Sequence, residues 1–197
     1  MGVSGSGKST LMNILGCLDR PTSGHYFLDN EDVSTLEDSA LSTIRGQRIG
    51  FIFQAFNLIS ELTLIDNVEV PLFYQGVPKA ERRQRAINRL EQVGLGDRLN
   101  HRPSELSGGQ QQRTAIARSL VTNPTILLAD EPTGNLDSDT GEAILTLFDE
   151  LHTEGMTVLM ITHDRDVAKR SQRVIWLRDG RIEREEVGGL GRVEPLV

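Results

Sequence analysis

Close to its start the chain reads Gly2-Val3-Ser4-Gly5-Ser6-Gly7-Lys8-Ser9-Thr10, which fits the pattern G-x-x-x-x-G-K-S/T in full from Gly2 to Ser9. Glycines let successive backbone N–H groups turn inward around phosphate oxygens, and a helix that follows offers its positive N-terminus to the same anion. In that arrangement the Lys8 ammonium pairs with β- and γ-phosphates, and the Ser9 hydroxyl is a magnesium ligand. Leu11, Ile14, Leu15 and Leu18 recur at helical spacing, so the loop is expected to run into a helix from about Lys8 to Cys17. A flexible Gly/Ser-rich terminus is the competing reading of this stretch alone.

The second half of such a site needs a carboxylate at the end of a buried strand. Ile126-Leu127-Leu128-Ala129-Asp130-Glu131 supplies it: an apolar run that ends in two acids. Asp130 would fall at the carboxyl edge of a parallel sheet, where nucleotides bind in such folds, and would hold a metal ion directly or through water. Glu131, one residue on, is placed to take a proton from an attacking water. Ile49–Phe53, Val158–Thr162 and Val174–Leu177 are further apolar runs bounded by turn residues, read with Ile126–Asp130 as buried parallel strands reached through helices. A strand is expected at His25–Leu28, a short helix between Leu36 and Arg45, and a tight turn at Asp179-Gly180 into an edge strand near Arg181–Glu183. The pattern predicts an α/β fold with a mostly parallel sheet.

A third feature is Leu106-Ser107-Gly108-Gly109-Gln110, ahead of a helix with Ile116, Ala117 and Leu120 at apolar positions. Ser107 is a natural N-cap, and Gly108-Gly109 lets a ligand approach the helix end closely. Between Leu64 and Arg102 the chain reads as helices. From Lys79 to Arg102 seven Lys/Arg stand against Glu81, Glu91 and Asp97, while Ala86, Ile87, Leu90 and Val93 form one apolar face. This basic stretch reads either as a solvated helix face or as a docking surface for a partner or anionic headgroups.

Composition bounds the rest. The chain has 197 residues, 38% hydrophobic and 25% charged, with a net charge of −7, which suits one globular domain and argues against duplex nucleic acid as a partner. No apolar run approaches the roughly 18 residues of a membrane span, and no leader pattern opens the chain. The single cysteine, Cys17, excludes an internal disulfide and a Cys-based zinc site and is read as a core residue of the first helix, with Trp176 as strand packing.

Taken in order, these motifs resemble the ATP-binding cassette (ABC) ATPases: a Walker A loop at Gly2–Ser9, the LSGGQ signature at Leu106–Gln110 and a Walker B strand at Ile126–Asp130. Gln54 is similar to the family's Q-loop glutamine, Asn135-Leu136-Asp137 to its D-loop, and His163 to its switch histidine. Ser9–Asp19, Asn67-Val68-Glu69-Val70-Pro71 and the doubled glutamine after the signature are similar to the macrolide-export and lipoprotein-release (MacB- and LolD-like) subfamily.

The resemblance implies a P-loop NTPase fold with a helical subdomain carrying the signature. One ABC domain would then comprise a RecA-like core at about 1–58 and 123–187, the helical subdomain at 59–122 and a frayed tail at 188–197. It implies ATP and Mg2+ as cofactors, with Gly2 to Thr10 and Gln54 on the nucleotide, and Ser9, Gln54 and Asp130 on the metal. Lys8, Glu131 and His163 would be catalytic. It further implies a head-to-tail homodimer with ATP between Walker A of one chain and the signature of the other. The partners would be integral-membrane permease subunits, and the location the cytoplasmic, inner face of the plasma membrane. Repair-type relatives are disfavoured, since the span from Lys8 to Asp130 is too short for their long coiled coil.

Members of the family carry an antiparallel β-region with an adenine-stacking aromatic before Walker A, then a central strand leading into it. Met1 stands where that strand would end, so the chain is expected to be an N-terminally truncated or mis-started cassette that binds ATP weakly or not at all.

Overall fold

The computed structural model describes residues 1–189. Its centre is a parallel sheet of three strands in the order β3-β4-β5: β3 (Ile49–Ile52), β4 (Ile126–Asp130) and β5 (Thr157–Ile161). The register sets Phe51 beside Leu128 and Asp130 beside Ile161, so the carboxyl ends of β4 and β5 finish together. Because consecutive strands are parallel, each connection must cross a face of the sheet, and helices make those crossings. Before the sheet come α1 (Lys8–Leu15), a two-strand hairpin of β1 (Phe27–Leu28) and β2 (Glu31–Asp32), and α2 (Asp38–Arg48). Between β3 and β4 lie α3 (Leu64–Tyr74), α4 (Lys79–Gln92) and α5 (Gly108–Leu120). Then α6 (Ser138–Thr153) joins β4 to β5, and α7 (Arg165–Lys169) leads into a hairpin of β6 (Arg173–Arg178) and β7 (Arg181–Val187).

Two apolar clusters hold these elements. The larger joins Ile52, Leu127 and Ala129 of the sheet to Leu64, Val68 and Leu72 of α3, Ala86 and Leu90 of α4, Ile116 and Leu120 of α5, and Ile144 and Phe148 of α6. The helical stretch thus packs on the sheet through the same continuous core. The smaller lies on the other face, where Met12, Cys17, Leu41 and Ile44 meet Ile49, Leu128 and Ile161. The arginine-rich α4 turns the expected apolar face inward, and two of its arginines are neutralised by α3. Arg82 Nε donates to Glu69 at 2.9 Å, and one Arg83 nitrogen bridges Asp66 and Glu69 at 2.9 and 3.0 Å.

Several boundaries differ from the sequence reading. Helix α1 stops at Leu15, because Gly16 caps it and Cys17 turns to φ 53°; Cys17 is buried, but just beyond the helix. The first strand contracts to Phe27–Leu28, and the helix expected from Leu36 begins at Asp38 and extends to Arg48. The strand at Val174–Leu177 is not a parallel member of the central sheet: it pairs antiparallel with β7 through the Asp179-Gly180 turn. Both turn residues have positive φ, 50° and 74°, the geometry a two-residue hairpin favours. Gly188 and Gly189 of the expected frayed tail are bonded, donating to Gln172 and Lys169 carbonyls at 3.0 and 2.7 Å. The rest of that tail, from Leu190, lies outside the described residues.

What separates β5 from β6 is an apolar cavity of about 460 Å³, lined by both strands together with Met1, Leu11, Met12 and Phe148. At its end Met1 bridges to β6: its ammonium donates to the Ile175 carbonyl at 2.7 Å, and Leu177 N–H donates to the Met1 carbonyl at 2.9 Å. That is the bond pattern of one residue in a parallel ladder.

Candidate functional site

The glycine loop is shaped by positive φ at Gly2, Gly5 and Gly7 (145°, 77° and 95°). Gly2 is obligatory for a second reason: a Cβ there would stand 2.2 Å from the Leu177 carbonyl oxygen. Gly7 caps α1, and Gly180 N–H donates to the Ser6 carbonyl at 3.0 Å, tying the loop to the β6–β7 turn. Lys8 Nζ arches back over the loop and donates to the Gly2 and Val3 carbonyls, both at 2.8 Å. Ser9 and Thr10 follow in the first turn of α1, where free N–H groups gather.

Facing this loop, Asp130 ends β4 and Glu131 follows with φ 44°, a left-handed conformation that a non-glycine residue adopts only when its surroundings impose it. Here they do: Glu131 N–H donates to the Ile161 carbonyl at 2.9 Å, and Gly134 N–H donates to the Glu131 carbonyl at 3.0 Å. The Glu131 carboxylate is then fixed by the end of β5. His163 presents its backbone N–H at 3.1 Å and its Nδ1 at 2.7 Å to Oε1, and Thr162 Oγ1 reaches Oε2 at 3.4 Å. The hydrogen bond and charge of Glu131 raise the His163 pKa above its ordinary value. Burial and the neighbouring Glu131 charge raise the Asp130 pKa, with Lys8 opposing. Lys8, Asp130, Glu131 and His163 therefore share one field at the carboxyl edge of the sheet.

Gln54, beyond β3, is spent on the loop after β4: its Nε2 donates to Asn135 Oδ1 at 3.3 Å, and Asn135 Nδ2 donates to the Gln54 carbonyl at 2.9 Å. Asp137 is the N-cap of α6, bonded to Thr140 N–H at 3.0 Å, and Leu136 packs toward the signature. In the signature, Leu106 is buried, and Ser107 and Gln110 form a reciprocal capping box at the start of α5. Gly108 lies against Leu136 and Phe56, and a Cβ on Gly109 would run into the Thr140 methyl at 2.2 Å. The signature's neighbours in its own chain are thus the Asn135–Asp137 loop and α6.

Sequence reasoning missed three participants. Thr162 and the Ile161 carbonyl hold Glu131, and nothing in a strand end announces that. Gln112 is fully buried and donates to the Pro132 carbonyl at 2.6 Å. Its signal was present, since Gln112, Ile116 and Leu120 share one face of α5 and a glutamine there interrupts an apolar stripe.

A glycine loop at a helix N-terminus, its lysine, and an acidic pair closing the adjacent parallel strand define a P-loop ATPase cassette. The ABC transporter family model matches residues 1–134, and the chain belongs to that family. It is 58% identical over 190 residues, 96% of this chain and 83% of the relative, to the uncharacterized ABC transporter ATP-binding protein YvrO of Bacillus subtilis (strain 168). It is 59% identical over 182 residues to the macrolide export ATP-binding/permease protein MacB of Brucella melitensis; this is 92% of the chain but spans only 28% of that relative. Among solved structures, the dimeric post-hydrolysis ATP-binding cassette MJ0796 bound to ADP and Pi superimposes with a TM-score of 0.84 at 51% identity, covering 95% of this chain and 83% of that one.

Proposed function

We propose that this chain is the ATP-hydrolysing subunit of an exporter or mechanotransmission-type ABC transporter of the macrolide or lipoprotein class. Two copies would act head to tail, each ATP lying between Gly2–Ser9 of one and Leu106–Gln110 of the other. Relatives named as macrolide export ATP-binding/permease proteins support the class, and a dimeric neighbour supports the assembly. Among the described residues no helix is long and apolar enough to cross a membrane. The ATP-binding/permease relatives support a reading in which integral-membrane permease partners build the transport path and this chain lies on the cytoplasmic face of the inner membrane.

The observation that carries the reading is Glu131, strained, fixed on two sides and facing Lys8 and Asp130. Glu131 would polarise the attacking water, Lys8 would stabilise phosphate charge, and His163 would orient Glu131 and meet the γ-phosphate. Ser9, Asp130 and Gln54 offer hard oxygen donors that would hold Mg2+, whose chemistry when bound is neutralisation of phosphate charge. The residues fit: burial, and then the neighbouring Glu131 charge, raise the Asp130 pKa, and a cation beside the two carboxylates relieves both.

Glu131→Gln is expected to lower steady-state ATPase by about 100-fold or more while ATP binding persists. Parental turnover in the purified variant refutes the assignment. A second reading has its own support, because the apolar cavity between β5 and β6 reaches Lys8 of the phosphate loop. In that reading the chain keeps the motifs but binds ATP weakly or not at all. ATP titration separates the two: micromolar affinity favours the first, and its absence the second.

A further inference from the structure

Gln112 is an expensive residue at its place in the core. It is 0% exposed, on the face of α5 that also carries Ile116 and Leu120. Its Nε2 donates at 2.6 Å to the carbonyl of Pro132, while its Oε1 is buried with no partner. An unpaired buried carbonyl is destabilising, so an apolar residue of similar shape would suit this stripe better for packing alone. What the amide provides is a single bond to the residue directly after Glu131.

That bond completes a set. The left-handed turn at Glu131 is anchored upstream by the Ile161 carbonyl and inside by the Gly134 N–H. Downstream, the next free carbonyl is that of Pro132, and Gln112 takes it. The Ile161 and Gly134 bonds hold the backbone at Glu131, the end of β5 holds its carboxylate, and Gln112 adds a hold on the next residue from a different element. The element supplying it is α5, whose first turn is the signature. Gln112 stands five positions after Ser107, the signature N-cap, so a tilt or axial slide of α5 is transmitted to Pro132 through a rigid helix.

We propose that Gln112 is a positioning residue that holds Glu131 in its strained conformation and couples it to the signature end of α5. In the head-to-tail arrangement above, the signature answers to the nucleotide on the partner copy. Gln112 then makes the general base of one site sensitive to the occupancy of the other. The inference rests on the reading of Glu131 as that base.

The test is Gln112→Met, which keeps length and apolar bulk but removes the donor, with Gln112→Asn, which keeps an amide too short to reach Pro132. Two readouts are followed in the full chain. By hydrogen exchange, the Glu131 and Gly134 amides should lose protection by about tenfold or more in both variants, while amides of α3 and α4 are unchanged. In steady-state ATPase, kcat should fall about 10-fold or more with the KM for ATP within twofold. In the Glu131→Gln background the same substitutions should cost nothing further in the residual rate, because a residue acting through Glu131 has nothing left to position.

Unchanged exchange at Glu131 and Gly134 overturns the proposal, as does an equal loss of kcat in both backgrounds. Failure of both variants to fold overturns it too, by assigning Gln112 to stability. If instead Glu131→Gln itself leaves turnover intact, it is the reading of Glu131 that fails. The exchange result then still reports whether Gln112 anchors the turn.

Discussion

The two neighbours of the central sheet's chemistry are built to different standards. Strand β4 has a parallel partner on each side and carries Leu127, Leu128 and Ala129 with no exposed surface. Strand β5, equally apolar in sequence, pairs with β4 alone, and Val158, Leu159 and Met160 are only half-buried beside the cavity toward β6. The same kind of residue is therefore worth different amounts on the two strands. Burial is complete only where a sheet neighbour and both faces are covered; at an interrupted edge, apolar side chains line space instead of other atoms. The groups proposed as catalytic straddle that divide. Asp130 and Glu131 hang from the well-packed strand, His163 from the open one, and the glycine loop is tied to β6 through Met1, Gly2 and Gly180.

The contrast can be broken most forcefully by truncating the packed side. Leu127→Ala is expected to destabilise the protein by about 2–5 kcal/mol in denaturant unfolding, the range for a Leu deletion in a core that cannot collapse. A loss below about 1 kcal/mol would mean that β4 is no better packed than β5. Val158→Ala on the open side should cost about 1 kcal/mol, since the methyl groups removed already face unfilled space. A cost equal to that of Leu127→Ala would show that the cavity is closed in solution.

The smallest effect sharpens the comparison at the site itself. His163 should titrate above its ordinary value in an NMR pH series, and Glu131→Gln should bring its midpoint down by removing the acceptor that holds the proton. The sign for stability follows from the raised folded-state value. The His163–Glu131 contact contributes fully below the unfolded-state pKa and is lost as pH rises through the folded-state pKa. His163 is exposed, so only the titration, not the stability, should move measurably.

The sequence alone determined the family and the class of fold. The glycine pattern of Gly2–Ser9, the apolar strand ending at Asp130-Glu131, the Ser107 cap and the Asp179-Gly180 turn are local statements. Each depends on neighbours within a few residues, through allowed φ, capping and alternation, and each element appears where that logic puts it. Tertiary structure decided everything that depends on which strand lies beside which. Val174–Leu177 has the apolar composition of a central parallel strand and becomes half of an antiparallel hairpin, because composition reports burial and not partner. Arg82 and Arg83 looked like a free basic surface until α3 brought Glu69 and Asp66 against them. The strain at Glu131 was also invisible in one dimension. It goes with an Ile161 carbonyl that accepts the Glu131 N–H, distant in the chain and adjacent only once β5 has paired with β4, while Gln112 of α5 reaches the next residue, Pro132.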